Sequence, residues 1–304
     1  MLRITFLGTG GTLPTINRNP SAIFVNREGD MMLFDCGEGT QQQMMRAKTG
    51  MKISSILITH FHADHFLGIP GLIQTMSFNG RTEPLDIYGP VSTERMVRLM
   101  VELGYYNMGF EINAHELEDG DIINKEEYSI KAVATVHGIP SLGYVLEENN
   151  RAGRFNRERA IELGVPAGPL FSKLQKGENV IVNGRTIKPS QVIGETRPGR
   201  KIVYSGDTRP CKNIERESEG ADLLIHDGTF DDELLDWALE TKHSTVSEAA
   251  QLAKKANVRQ LILTHFSSRY SENAEPLLHD AKDIFENVRL AEELMEVEIK
   301  LRDK

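Results

Sequence analysis

LITHFHADHFLG, residues 57–68, sets four metal-ligand side chains, His60, His62, Asp64 and His65, within six positions directly behind an apolar run. Alternate residues of an extended segment share a side, so His60 and His62 can grip one ion as the chain leaves the strand-like ISSILIT. Asp64 and His65 fall in the turn before a helix expected over FLGIPGLIQTMS, within reach of a second ion. The helix-borne HExxH pair of zinc peptidases has a different spacing, so that mechanism is not indicated.

Four ligands do not fill two sites, and residues that would complete them stand at comparable positions. His137 follows SIKAVATV, Asp207 follows KIVYSG and His265 follows VRQLILT. If those strand ends share one edge of the fold, five histidines and two aspartates converge there. That set matches two adjacent ions with one bridging carboxylate, and imidazole with oxygen donors suits two zinc ions, with manganese or iron as second choices.

Strand-like runs recur through the chain, among them LRITFLG, SAIFVN, MMLFDCG, LDIYG, LGYVL and ADLLIHD. Helix-like stretches fall between some of them: GTQQQMMRAKTG, TERMVRLMVELG, DELLDWALETK and VSEAAQLAKKAN. The mixture predicts an α+β protein in which a mixed sheet is layered with helices. With 304 residues, 39% hydrophobic and 26% charged, the chain can bury a large core. No apolar stretch approaches twenty residues, and MLRITFLGTGG runs straight into a strand pattern rather than a signal peptide. A cytoplasmic protein without a membrane partner is therefore expected. Two cysteines, Cys36 and Cys211, exclude a disulfide framework and any cysteine-rich zinc module.

The net charge of −9 argues on its face against a nucleic-acid partner. The charge is polarised, however. Residues 151–201 hold eleven Lys or Arg against four Glu, a balance of +7, while the rest of the chain carries 24 basic against 40 acidic residues, or −16. The same segment is rich in Gly and Pro, as in GVPAGPLFSKLQKG, and reads as an excursion from the main fold. The run GTGGT, residues 8–12, lacks the GK[ST] of a phosphate loop, so a tight turn beside the active site is expected there.

HFHADH reads as HxHxDH and so resembles the motif of metallo-β-lactamase-fold hydrolases. The resemblance implies an αββα sandwich with a dinuclear site between the sheets. Carried over by motif, His60, His62 and His137 would bind the first ion, Asp64, His65 and His265 the second, and Asp207 would bridge them. The diiron branch of the superfamily typically carries a carboxylate where His62 stands, which argues against that branch. Two ions about 3.5–4 Å apart would activate water and stabilise an in-line displacement at phosphorus. Asp64 would double as proton acceptor. His243 precedes STVSEAAQLAKK, where Thr245 and Glu248 have capping-box spacing, and is the candidate proton donor to the leaving oxygen.

Further blocks, DCGEGTQQQ (35–43), SGDT (205–208), KHST (242–245) and LTHFSSRY (263–270), resemble the short form of the ribonuclease Z family and extend over nearly the whole chain. GVPAGPLFSKL (164–174) resembles the base of that family's protruding tRNA-binding arm. The resemblance implies one domain over residues 1–304 with a basic arm inserted at about 151–185, Lys173 and Lys176 among its phosphate contacts. It implies a homodimer that cuts the 3′ trailer from precursor tRNA, leaving a tRNA 3′-hydroxyl and a trailer 5′-phosphate. Two departures stand out. Residues 14–19 read PTINRN where the family often has PxKxRN, so Arg18 and Asn19 remain as substrate-binding candidates but Ile16 replaces the lysine. Residues 226–229 read HDGT where the family often has HEAT, leaving Asp227 to orient His243 with a shorter side chain. The alternative is a metallo-β-lactamase-fold phosphodiesterase acting on small phosphodiesters, in which the basic segment has no RNA role.

Overall fold

The apolar run before His60 forms β4 (Ser55–Leu57), three fully buried residues. It pairs in parallel with β3 (Asp30–Phe34) on one side and β5 (Leu85–Gly89) on the other. A strand buried on both faces shows no hydrophobic alternation, which is why this one reads as a continuous apolar run. The computed structural model describes residues 1–105 and 107–302. In it, β1 (Leu2–Gly8), β2 (Ala22–Arg27), β6 (Ile112–Glu116) and β16 (Glu296–Ile299) complete a seven-stranded sheet in the order β16-β1-β2-β3-β4-β5-β6.

The second seven-stranded sheet comprises β7 (Ile122–Asn124), β8 (Tyr128–Ala134), β9 (Leu142–Glu148), β12 (Lys201–Tyr204), β13 (Leu223–Asp227), β14 (Leu261–Thr264) and β15 (Val288–Leu290). Its order is β15-β14-β13-β12-β9-β8-β7. Strands β12 to β15 run parallel, as β3 to β6 do in the first sheet. Parallel strands set their carboxyl ends along one edge, the place where open α/β sheets gather ligands.

The outer faces are covered by helices. Helices α1 (Thr40–Ala47), α3 (Ile69–Phe78) and α4 (Thr93–Val101) pack Met44, Leu72, Ile73, Val97 and Met100 onto Leu33, Ile56 and Ile87 of the first sheet. Helices α9 (Val246–Lys255) and α10 (Glu275–Lys282) bring Ala249, Ala253, Leu277 and Ala281 into the core shared with the second sheet. Between the sheets, Phe34 stacks on both Tyr144 and Tyr204, each pair of ring centroids 5.8 Å apart. This is the αββα metallo-β-lactamase sandwich expected from HxHxDH.

The chain divides into two compact units: Met1–Glu147 with Lys201–Lys300, and Glu148–Arg200 with the C-terminal end. The second unit has its own small core of Ala160, Val165, Leu174, Val180, Ile187 and Val192. It contains α5 (Arg157–Glu162), capped by the Asn156 side chain at 2.9 Å from the Arg159 amide, and α6 (Pro169–Gln175). Strands β10 (Val180–Val182) and β11 (Arg185–Ile187) form a hairpin whose two turn residues, Asn183 and Gly184, both have positive φ, as a type I′ turn requires.

The unit is longer than the 151–185 read from sequence. After the hairpin the chain pairs back on itself, with reciprocal Arg151–Arg197 backbone bonds of 2.8 and 2.9 Å and a 3.0 Å bond from the Glu148 amide to the Arg200 carbonyl. Its ends therefore close where β9 and β12 run side by side, Glu147 opposite Lys201. Among the described residues no helix is long and apolar enough to cross a membrane, and both cysteines are free thiols.

Candidate metal centre and active site

The seven residues read as ligands come together at the carboxyl-end edge, each from a loop just past a strand or from the short helix α2 (Ala63–Phe66). His60 lies three residues beyond β4 and is fully buried, whereas His62 is exposed and extended at the start of α2. His60 Nε2 is 3.0 Å from His62 Nδ1, which is 3.1 Å from His137 Nε2. The second group is buried throughout: Asp207 Oδ2 is 3.2 Å from His65 Nε2 and 3.1 Å from His265 Nε2, and Asp64 Oδ2 is 3.5 and 3.2 Å from the same two atoms. Asp207 Oδ2 is also 3.7 Å from His60 Nε2, so the two groups meet at this carboxylate.

These donors fit divalent cations. Nitrogens at about 2.0–2.1 Å from one tetrahedral zinc lie about 3.3 Å apart, close to the spacings found here. Burial together with the neighbouring His65 holds the His60 pKa well below its ordinary value, and the partial desolvation of the His62 and His137 rings lowers theirs as well. Their lone pairs are thus open at neutral pH. Burial would raise the Asp64 and Asp207 carboxyls, but His265 and His65 beside them hold both well below the usual range. Neutral His60, His62 and His137 and ionised carboxylates are in the states metal binding needs, whereas His65, which despite burial Asp207 and Asp35 hold well above its ordinary pKa, would release a proton as a cation binds. Among the described residues, His65 Nε2, Asp64 Oδ1 and Asp207 Oδ1 are buried without a hydrogen-bond partner, a costly arrangement that a cation would relieve.

Several residues that the sequence did not single out hold the ligands in place. Asp35, fully buried past β3, takes Nδ1 of His65 at 2.8 Å, the Tyr204 hydroxyl at 2.8 Å and the Thr59 amide at 2.7 Å. Fixing Nδ1 leaves Nε2 as the metal-facing nitrogen, the carboxylate–histidine pairing of many metal sites. Thr229 does the same from a hydroxyl, its Oγ1 2.9 Å from His265 Nδ1. Asp35 (φ 58°) and His265 (φ 63°) both sit in the left-handed region, two of nine such non-glycine residues among those described, so each carries local backbone strain at the site. Gly37 lets the loop after Asp35 approach the metal turn: a Cβ there would lie 2.3 Å from the Asp64 carbonyl.

His243 lies beside the second group. Its Nδ1 is 2.9 Å from Asp227 Oδ2 and 3.3 Å from Thr229 Oγ1. Burial would lower its pKa, but the Asp227 carboxylate outweighs it and raises the value to about 9. The segment carrying His243 is anchored twice. Thr245 and Glu248 form the expected capping box on α9, and Arg209 donates both to the His243 carbonyl and to the Glu248 carboxylate.

Comparison with known proteins agrees with this geometry. Residues 181–266 match the model of the β-lactamase superfamily domain, and residues 2–152 match that of the anti-Pycsar protein Apyc1. The chain is 63% identical to ribonuclease Z of Methanosarcina acetivorans over 99% of both chains, and 50% identical to that of Archaeoglobus fulgidus over 98% of both. It superimposes on the crystal structure of human tRNase Z, short form, with a TM-score of 0.71 at 31% identity, covering 98% of this chain and all of that one. The chain belongs to the ribonuclease Z family. Ribonuclease Z enzymes are hydrolytic endoribonucleases that cut phosphodiester bonds, and this chain is one of them.

Within that family frame, the two departures can be placed. Asp227, the residue of HDGT, reaches His243 in hydrogen-bonding distance despite its shorter side chain. In the first loop the Arg18 guanidinium turns inward, 2.6 Å from Thr9 Oγ1 and 3.0 Å from the Ala291 carbonyl, with its carbon 4.7 Å above the Phe266 ring. The Asn19 amide donates to Glu293. Both residues thereby brace the GTGGT turn, whose Gly10 and Gly11 amides bond to Asn19 and Phe266 and whose Gly11 packs on the His265 ring. Ile16 stands fully exposed at the loop tip. Lys173 and Lys176 lie exposed on and just past α6 in the second unit.

Proposed function

We propose that this chain is the endoribonuclease that removes the 3′ trailer from precursor tRNA, working with two zinc ions per subunit as a cytoplasmic homodimer. The observation that carries the reading is the convergence of five imidazoles and two carboxylates on one edge of a ribonuclease Z-family sandwich. His60, His62 and His137 would hold one ion, Asp64, His65 and His265 the other, and Asp207, where the groups meet, would touch both. When bound, the ions supply a hydroxide at neutral pH and neutralise charge on the phosphate.

The chain's own groups manage the protons. Asp64 keeps one carboxylate oxygen on the ligand cluster and a second, unpartnered oxygen to accept the proton of the attacking water. As the new P–O bond forms, the bond to the tRNA 3′ oxygen breaks, and that oxygen needs a proton to leave as a hydroxyl. His243, held positively charged by Asp227 and with Nδ1 already engaged, offers Nε2 for that step. The products are a tRNA 3′-hydroxyl and a trailer 5′-phosphate.

The basic second unit, with Lys173 and Lys176 on its surface, would grip tRNA phosphates regardless of sequence. Free thiols accord with a reducing compartment. Incubating the zinc-loaded protein with an end-labelled precursor tRNA tests the reading: one cut at the trailer junction with a 3′-hydroxyl is expected. Turnover of an aryl phosphodiester without any precursor cleavage would overturn it.

A further inference from the structure

Next to the metal cluster, a cavity of about 180 Å³ opens between the GTGGT turn and α8 (Leu235–Thr241), with His243 and His265 as part of its lining. Its outer wall is apolar: Leu13 is 65% exposed and Trp237 48% exposed. Helix α8 buries only Ala238 fully, leaving Leu235, Trp237 and Leu239 exposed. Trp237 keeps about half of its surface open at the mouth of this cleft. The cavity is smaller than the roughly 300 Å³ at which pockets take drug-sized molecules, and equals the volume of about six waters, the scale of a single ring system.

We infer that this cavity receives one unpaired nucleobase flanking the scissile phosphate, with Trp237 as its stacking platform. The inference rests on the endoribonuclease reading above and deepens it. The cavity is continuous with the catalytic cluster through His243 and His265, so its occupant must be bonded to the reacting phosphate or adjacent to it. In RNA, the group that projects one nucleotide from a phosphate is a base. Every base has a π-face, so an aromatic platform accepts any of them.

The polar lining supports the same tolerance. Thr12 and Ser268 offer hydroxyls, which rotate to donate or accept and so suit different base edges, while the Thr241 hydroxyl, which donates to the Trp237 carbonyl, can accept. A site built this way distinguishes an unpaired nucleotide from a paired one, not one base from another. It would thereby place the cut beside the first nucleotide that can leave the stack.

The chain holds one tryptophan, so its intrinsic emission reports on Trp237 alone. Mixing the zinc-loaded protein in excess with precursor tRNA in a stopped-flow instrument should quench that emission before cleavage. A precursor made abasic on one side of the cut should bind without quenching, and whichever side abolishes it identifies the nucleotide. Trp237→Ala should lower kcat/KM for intact precursor on the order of ten- to a hundredfold. The loss should largely vanish on the abasic precursor and be mostly recovered in Trp237→Phe, which also guards against a folding defect. Normal cleavage with unquenched emission, or equal losses on intact and abasic RNA, would overturn the base site while leaving the endoribonuclease reading intact. A protein that leaves precursor tRNA uncut would instead sink that reading.

Discussion

Replacing Asp35 by Asn should separate metal affinity from catalysis. The carboxylate accepts at both oxygens: Oδ1 from the Thr59 amide, and Oδ2 from the Tyr204 hydroxyl and His65 Nδ1. An asparagine oriented to keep the Thr59 bond presents an NH2 group to Tyr204 and His65, which can then no longer donate to it. Hydrogen bonds to a charged acceptor are worth about 1.5–3 kcal/mol each, and the tyrosine hydroxyl can turn to accept instead, so a stability loss of about 2–4 kcal/mol is expected. That is tolerable against a typical 5–15 kcal/mol. The larger effect falls on His65. Facing an amide donor, its Nδ1 gives up the proton and Nε2 takes it, so the nitrogen on the metal side is blocked. Removing such a partner typically costs 10–100-fold in metal affinity, or about 1.4–2.8 kcal/mol. Zinc competition with a chromophoric chelator measures this, alongside thermal melting. Precursor cleavage should recover in excess zinc, because the defect is in holding the ion. Tyr204→Phe is the control: it removes one bond to the Asp35 carboxylate and spares His65, so stability should fall by about 1.5–3 kcal/mol with zinc affinity unchanged. A folded Asp35→Asn protein that binds zinc as tightly as the parent would refute the positioning role.

Arg209→Ala removes the clamp on the His243 carbonyl and on Glu248. It should reduce kcat about tenfold or more with little change in KM, read from steady-state cleavage; a loss confined to KM would mean that Arg209 does not position His243. Changing both Lys173 and Lys176 to Ala should weaken precursor binding without altering the cleavage position. The slope of log affinity against log salt should become shallower by about 0.7–0.9 for each phosphate no longer neutralised, and an unchanged slope would argue against a phosphate grip by these lysines.

The convergence of the seven candidate ligands was legible because histidines and aspartates seldom gather at the ends of buried strands: four of them stand within six positions behind one apolar run, and His137, Asp207 and His265 each follow another. Their supports were not. Asp35 meets His65 and Tyr204 across 30 and 169 positions, and Thr229 meets His265 across 36, so nothing local announces these pairings. Arg209 could have been suspected only as the residue following SGDT. Among the strands, β6 was hidden by the polar sequence INAHE, and β16 by its brevity, although EVEI alternates exposed Glu with buried Val and Ile as an edge strand should. The β10–β11 hairpin carried a readable sign, Asn-Gly between VIV and RTI, which composition alone masked as part of a basic excursion. Arg18 has a role that the motif did not announce: its Nη1 donates to Thr9 Oγ1 and to the Ala291 carbonyl and so holds the loop together.

The second unit departs from and returns to the sandwich across one antiparallel pair, Glu147 opposite Lys201. Two consecutive strands of a sheet need only a tight turn between them, and here the turn has been replaced by a folded module. The entropic cost of closing a loop rises by only about 0.6 kcal/mol for each doubling of its length. Insertions at this seam can therefore grow, shrink or be exchanged without shifting the register of β9 and β12 or disturbing the ligand loops. With the second unit as the RNA grip proposed above, grip and bond cleavage would be free to evolve at different rates, and the sandwich would be refitted for a differently shaped RNA by changing only what is inserted at this junction.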